Sequence, residues 1–326
     1  MTTVALPQSP AREGAAEVVV LSPWQLAWRR FRKHRMAMIA LGGLVVLLAF
    51  IWLGGLIFAR GVCKPTGQYV TGEAYANCND ISFKLQPPSR ERPFGTDTIG
   101  RDILARTIYG GQISLFIGLF AAIVEVVVGV LVGSIAGYFG GWLDDILMRI
   151  TEAMLIIPSL FLLIVLAKSL GGRVPEVHLL GRDFSGSVIV IIVVVGLTSW
   201  MYLARIVRAN VLSLKEQDFI SASRAIGVSP ARIIFVHLLP NTMAPIIVSA
   251  TLGVANAILS EAYVSFLGLG VQAPTASWGN MLDSSSRYIG SAPWLWFFPG
   301  MLILITVLGV NFVGDGLRDA LDPRGR

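Results

Sequence analysis

Charge is scarce in this sequence, and so are the side chains that hold metals. Only 14% of the 326 residues are charged, against 54% hydrophobic, well below the quarter or so of charged residues in an ordinary soluble domain. Two cysteines and three histidines are too few and too scattered for a zinc or haem motif, so neither a metal nor a cofactor is expected. No G-x-x-x-x-G-K-[ST] phosphate loop occurs, so any nucleotide chemistry must lie on another chain. Nor is a cleavable signal peptide evident, because the first long apolar run follows a polar tail of about 35 residues and is long enough to span a bilayer.

What is present is a series of apolar runs of membrane length, which makes this an integral membrane protein. The net charge of +6 then reads as an orientation signal beside the spans rather than a nucleic-acid footprint. Residues 1–21 lack periodicity and read as a mobile tail. Ser22 and Pro23 form an N-cap and first turn. Beyond them Trp24, Trp28 and Phe31 share a helical face, and Arg29, Arg30, Arg32, Lys33 and Arg35 crowd the rest, the pattern of a helix lying in a membrane interface. Positive charge ahead of the first span, Met36 to Ala59, puts the N-terminus on the cytoplasmic side.

Five further spans are expected: Ile113–Phe139, Ala153–Ala167 with a kink at Pro158, Ser187–Ala204, Thr242–Ser260 and Trp294–Gly314 with a kink at Pro299. A short inner connection is expected around Asp144, Asp145 and Arg149, and Arg205 and Arg208 mark the exit of the fourth span. This topology puts His34 and His237 inside and His178 outside, which breaks any shared metal or acid–base site and argues against an intramembrane enzyme. A self-contained ion-driven carrier would show more intramembrane ionisable groups and a pair of related halves with interrupted helices; no convincing repeat exists.

The outer loop after the first span carries Cys63 and Cys78, either two free thiols or a disulfide, which would close a loop of about fifteen residues worth roughly 3 kcal/mol. In the same loop Gly95, Asp97, Gly100 and Asp102 read as turn and cap chemistry before an interfacial helix bearing Ile99, Ile103, Leu104 and Ile108. Gly129, Gly133 and Gly137 make a flat stripe for helix packing, and Ser249, Gly253 and Ala257 make another. Glu125 is the only charge in its span. Its insertion cost of about 2.5–3.5 kcal/mol is outweighed by roughly twenty apolar residues at about 0.3–0.6 kcal/mol each. It must face the protein interior or an aqueous path, or be protonated, and it serves a structural hydrogen bond or a translocation role. Asn256 and Glu261 lie at or near membrane depth, with interhelical hydrogen bonding favoured over substrate contact.

Between the fourth and fifth spans lies a polar stretch, DFISASRAIGVSPARIIFVHLLPN. Asp218 can cap a helix in which Phe219, Ala222 or Ser223, and Ile226 share a face, and Gly227 stops it. Ser229 and Pro230 start a second helix through Ile233, Ile234 and Val236, which Pro240 ends. This hairpin resembles the "EAA" loop of ABC-importer permeases: Ala222, Gly227, Leu239 and Pro240 stand in register, while Ser221 and Ser223 replace its Glu and second Ala, and His237 its Ile. The strings PFGTDTIGRDILARTIYGG, SFLGLGVQAPTASWGNML and GDGLRDALDPR are similar to the dipeptide, oligopeptide and nickel branch of that family.

The resemblance implies an all-α membrane protein with six transmembrane helices, both termini cytoplasmic, and the type I ABC importer transmembrane fold. It divides the chain into a tail and interfacial helix (1–35), a first helix (36–59), an external loop (60–111), a permease domain (112–315) with its coupling loop at 215–241, and a tail (316–326). It makes Asp218, Phe219, Ser221, Ala222, Ser223, Arg224, Ala225, Ile226, Gly227 and Pro240 the segment that docks on a cytoplasmic ATPase. Glu125, Asn256 and Glu261 are the candidate translocation residues. The implied partners are a homologous second permease, two ABC ATPases and an extracytoplasmic substrate-binding protein, at the cytoplasmic (inner) membrane. The implied substrate is a di- or oligopeptide, with nickel, glutathione or some sugars as alternatives.

Overall fold

A computed structural model of the chain describes residues 22–63, 65–170, 173–179 and 182–322. The expected tail over 1–21, and the last residues of the expected C-terminal ending, lie outside the described residues. Helix α1, Pro23–Phe31, starts in a capping box in which Ser22 and Gln25 satisfy each other's backbone N–H. Trp24 and Trp28 stay exposed while Phe31 is buried against Ala37 and Ala320. Helix α2, Arg35–Phe58, is the first span and has a histidine cap: the Ala37 N–H donates to Nδ1 of His34 at 3.1 Å, and Nε2 faces Asp319 at 3.5 Å.

The loop that follows contains the antiparallel strands β1, Arg60–Cys63, and β2, Gln68–Thr71, then the short helix α3, Glu73–Ala76. Cys63 and Cys78 are joined in a disulfide. The Asp97 carboxylate accepts the backbone N–H groups of Ile99 and Arg101 and the Arg101 guanidinium. Gly100, at φ +82°, leaves no room for a side chain because the Asp80 carbonyl occupies that space.

No separate interfacial helix forms here. Asp102 caps α4, Ile103–Phe139, which runs unbroken for 37 residues and includes the expected second span as its latter part. At about 1.5 Å per residue it exceeds the roughly 30 Å hydrocarbon core. Its Gly-Gly step does not break it: a side chain on Gly111 would stand 2.7 Å from the Trp278 ring, so packing rather than propensity decides.

The short connection expected around Asp144, Asp145 and Arg149 does not form. These residues sit on a helix, α5, Gly141–Ile156, which is followed by α6, Ser159–Leu170, at 92° to it. The break is sharper than a kink because Pro158 holds Ile157 in extended backbone, ψ 126°. After β3, Val177–Leu179, and β4, Arg182–Phe184, helices α7, Gly186–Leu197, and α8, Trp200–Lys215, form one 30-residue span. Its interruption is local: Thr198 Oγ1 donates to the Val194 carbonyl and Ser199 Oγ to the Val195 carbonyl. Arg205 and Arg208 lie within α8, which continues past them to Lys215.

Next come α9, Asp218–Ala225; α10, Pro230–Arg232; a wide π turn, Ile233–Leu238; α11, Leu239–Asn241; and α12, Met243–Phe266. Two further helices, α13, Trp278–Ser285, and α14, Trp294–Leu321, complete the chain, with Pro299 inside α14. α14 runs past the expected end at Gly314 because Gly314 and Gly316 bring it against Leu252 and against Phe31 and Ala37. Among the described residues, five helices or continuous pairs are long and apolar enough to cross a membrane, six if the bent α5–α6 pair counts as one span. The chain is a multi-pass membrane protein.

Candidate functional site

Two features bear on function: the hairpin of α9 to α11, and a cavity at membrane depth. In the hairpin, Asp218 is not the cap. Gln217 occupies that position without a side-chain hydrogen bond, and Asp218 begins the helix. The C-terminal end is a Schellman motif, in which the N–H of Val228 bonds to the Ser223 carbonyl and that of Gly227 to the Arg224 carbonyl. Gly227 has φ +78° and open space around it, so the turn needs glycine for backbone conformation alone.

Pro240 does not end the second helix either. The chain continues through α11 into α12 with only a loosened step at Thr242. Proline offers no N–H and crowds the carbonyl four residues back, and the turn containing that carbonyl is the π turn, wide enough to take the ring.

Ile220, Ile233, Ile234 and Leu238 are buried together against Leu203, Val207 and Val211 of α8 and Ile246 of α12. Phe219 and Ile226, on the other side of α9, are 42% and 81% exposed. Ser221, Ala222 and Ala225 are exposed beside them, Ser223 is half-buried, and its hydroxyl returns to the Phe219 carbonyl. Arg224 lies over the Tyr138 ring near the end of α4, 5.2 Å from its centroid. The hairpin is thus pinned to two spans by one face while its apolar tip is left uncovered in the chain. The buried anchors escape a reading of α9 alone, because Ile220 completes its cluster only with residues of α8, α12 and the π turn.

The helices around the cavity are held close by glycine. A side chain on Gly133 would stand 2.4 Å from the Ala204 carbonyl, and one on Gly137 2.9 Å from that of Arg208; with Gly129 they let α4 lie directly on α8. Asp144 of α5 accepts two hydrogen bonds from Arg208 of α8, at 2.5 and 2.6 Å. This pair spans 64 positions of sequence, so no local spacing announces it.

The cavity itself, about 590 Å³, opens between α4, the α5–α6 bend, α8 and α12. It brings Glu125 and Asn256 together, with Gly253 between them in the wall. Glu261 stands elsewhere. Fully buried, its carboxylate accepts the hydroxyls of Ser114 at 3.0 Å and Ser265 at 2.7 Å. Those hydroxyls in turn accept the N–H groups of Trp278 and Val271, so Glu261 ties α4 to α12 and to the segment before α13.

Residues 129–326 match the family described as "Binding-protein-dependent transport system inner membrane component", and residues 22–88 match the "N-terminal TM domain of oligopeptide transport permease C". The chain is 42% identical to the dipeptide transport system permease protein DppC of Alkalihalophilus pseudofirmus, over 98% of this chain and 95% of that protein. It is 40% identical to the oligopeptide transport system permease protein OppC of Bacillus subtilis, over 97% and 95% respectively. Among solved structures, the inward-facing MetNI methionine ABC transporter matches with a TM-score of 0.50 and 20% identity. That match covers 66% of this chain and 96% of the other, and at this identity it speaks to the fold alone.

Proposed function

Because the chain belongs to the family of binding-protein-dependent transport system inner membrane components, we propose that it is a permease subunit of an ATP-driven importer that moves di- or oligopeptides across the cytoplasmic membrane. The choice of peptides draws on relatives at 40–42% identity over nearly the whole chain. In this reading both chain ends are cytoplasmic, in keeping with the basic run at Arg29–Arg35. A homologous second permease completes the path, two ATPase subunits supply hydrolysis, and an extracytoplasmic binding protein delivers the solute.

The observation that carries the proposal is the hairpin with its opposed faces: Ile220, Ile233, Ile234 and Leu238 fasten it to α8 and α12, and Phe219 and Ile226 are left uncovered. An ATPase subunit covers that tip. When the two ATPases close on nucleotide, the segment 218–227 is drawn with them. The pinned hairpin then moves α8 and α12, exchanging inward and outward openings of the cavity that holds Glu125 and Asn256. Reconstitution in liposomes tests the reading: uptake of a labelled di- or tripeptide should require the ATPases, ATP and the binding protein together. Uptake driven by an ion gradient alone would overturn it, and Gly227→Pro should leave the subunit inserted while abolishing transport-coupled hydrolysis.

A further inference from the structure

The membrane cavity has an unusual balance of charge. Among the described residues, its lining contains one carboxylate, Glu125, and no lysine, arginine or histidine. Glu125 is 8% exposed and has no hydrogen-bond partner among the described residues. Its room comes from the opposite wall: a Cβ at Gly253 would lie 2.7 Å from Oε2 of Glu125, so the carboxylate is seated in the notch that the missing side chain leaves. Thr198 and Ser199, also in the wall, have already given their hydroxyl protons to α7 carbonyls and turn only lone pairs outward. The rest of the wall mixes apolar side chains, among them Met154, Leu155 and Leu163, with the amide of Asn256 and hydroxyls such as those of Ser249 and Tyr202.

An unpaired carboxylate at membrane depth is costly, and a buried charge is ordinarily matched by an opposite one. With no lysine, arginine or histidine among the described residues of the lining, the carboxylate is left to be matched by a cation that enters the cavity, and the hydroxyl and amide oxygens around it can accept that group's N–H donors. The volume, about 590 Å³, lies within the usual range for a small-molecule site.

We propose that Glu125 is the specificity-determining residue of a transient binding site in the path, where its carboxylate receives the N-terminal α-ammonium of the passing peptide. Gly253 keeps that seat open, and the mixed polar and apolar wall leaves room for the rest of the peptide. This inference rests on the peptide-import reading above.

The test uses the complete transporter in liposomes, with trialanine and N-acetyl-trialanine each at a concentration that saturates the binding protein, so that delivery is equal and passage sets the rate. The wild type should import the free peptide about tenfold faster than the acetylated one, in line with the loss of one desolvated charge pair. Glu125→Gln should bring the ratio near one, mainly by slowing the free peptide, and Glu125→Asp should restore part of it. Equal wild-type rates for the two peptides overturn the inference while leaving peptide import intact. So does a Glu125→Gln variant that keeps the wild-type ratio or slows both peptides alike. Should Glu125→Gln fail to assemble, the wild-type ratio and Glu125→Asp decide: an undiminished ratio in Glu125→Asp overturns the inference. If the wild type imports neither peptide, the broader reading fails and takes the inference with it.

Discussion

Two isoleucines six positions apart on and just past one short helix should respond oppositely to the same truncation. Ile226 is 81% exposed, so Ile226→Ala removes almost nothing from the chain's own core. A substitution of that kind stays within about 0.5 kcal/mol of wild-type stability. If an ATPase subunit buries the side chain, the loss of three carbons at about 0.8 kcal/mol each weakens docking by up to about 2.4 kcal/mol, roughly fifty-fold in affinity. Ile220 has no exposed surface and packs against Val207, Val211 and Leu238. Ile220→Ala therefore costs about 2–5 kcal/mol of stability before any partner is considered. The assay pairs two readings on the proposed permease pair in lipid nanodiscs: thermal unfolding, and equilibrium binding of the proposed ATPase pair by surface plasmon resonance. Ile226→Ala should keep its melting temperature and lose affinity, whereas Ile220→Ala should lose its melting temperature first. Unchanged affinity for Ile226→Ala would refute the assignment of the uncovered tip to the ATPase.

Gly133→Leu should sharply lower the yield and melting temperature of the subunit, since its first carbon alone would meet the Ala204 carbonyl at 2.4 Å and such overpacking costs about 1–3 kcal/mol or more. Glu261→Ala strands the hydroxyls of Ser114 and Ser265, at about 1–3 kcal/mol for each buried group left unsatisfied. Thermal unfolding should show a drop larger than that of Glu261→Gln, which keeps an acceptor. Cys63→Ser opens a loop with a sequence separation of 15, worth about 3 kcal/mol in the chain-entropy model. Limited proteolysis should then cut faster between residues 60 and 102, while α2 and α4 remain inserted.

Where local chemistry decides, the chain could be read directly. Gly227 stops α9 because the turn needs φ +78°, and Ser22 caps α1 with the partner that its spacing to Gln25 announces. Where long-range packing decides, local rules misled. Pro240 looks like a stop, yet the π turn before it absorbs the ring and the helix carries on into α12. Gly110 and Gly111 look like a break, yet the Trp278 ring, 2.7 Å from where a Cβ on Gly111 would stand, holds that position to glycine within α4, and Ser277 packs closely on Gly110. The position of Pro158 was legible, but not the 92° turn it helps to make. The candidate polar residues show the same divide. Glu125, Asn256 and Glu261 are all marked by their depth, but only partners far along the chain separate a carboxylate facing a cavity from one bound by two serines.

The Asp144–Arg208 pair also bears on how force crosses the subunit. α8 ends two residues before the hairpin begins, and it lines the cavity through Met201, Tyr202, Leu203 and Ile206. The ionic clasp at Arg208 fastens α5 to the same rod. If the ATPases pull on the hairpin as proposed, the rod must drag the elbowed span along as its trailer or tear apart a two-pronged charge contact. The far wall of the chamber and its near wall are in this way yoked to a single handle.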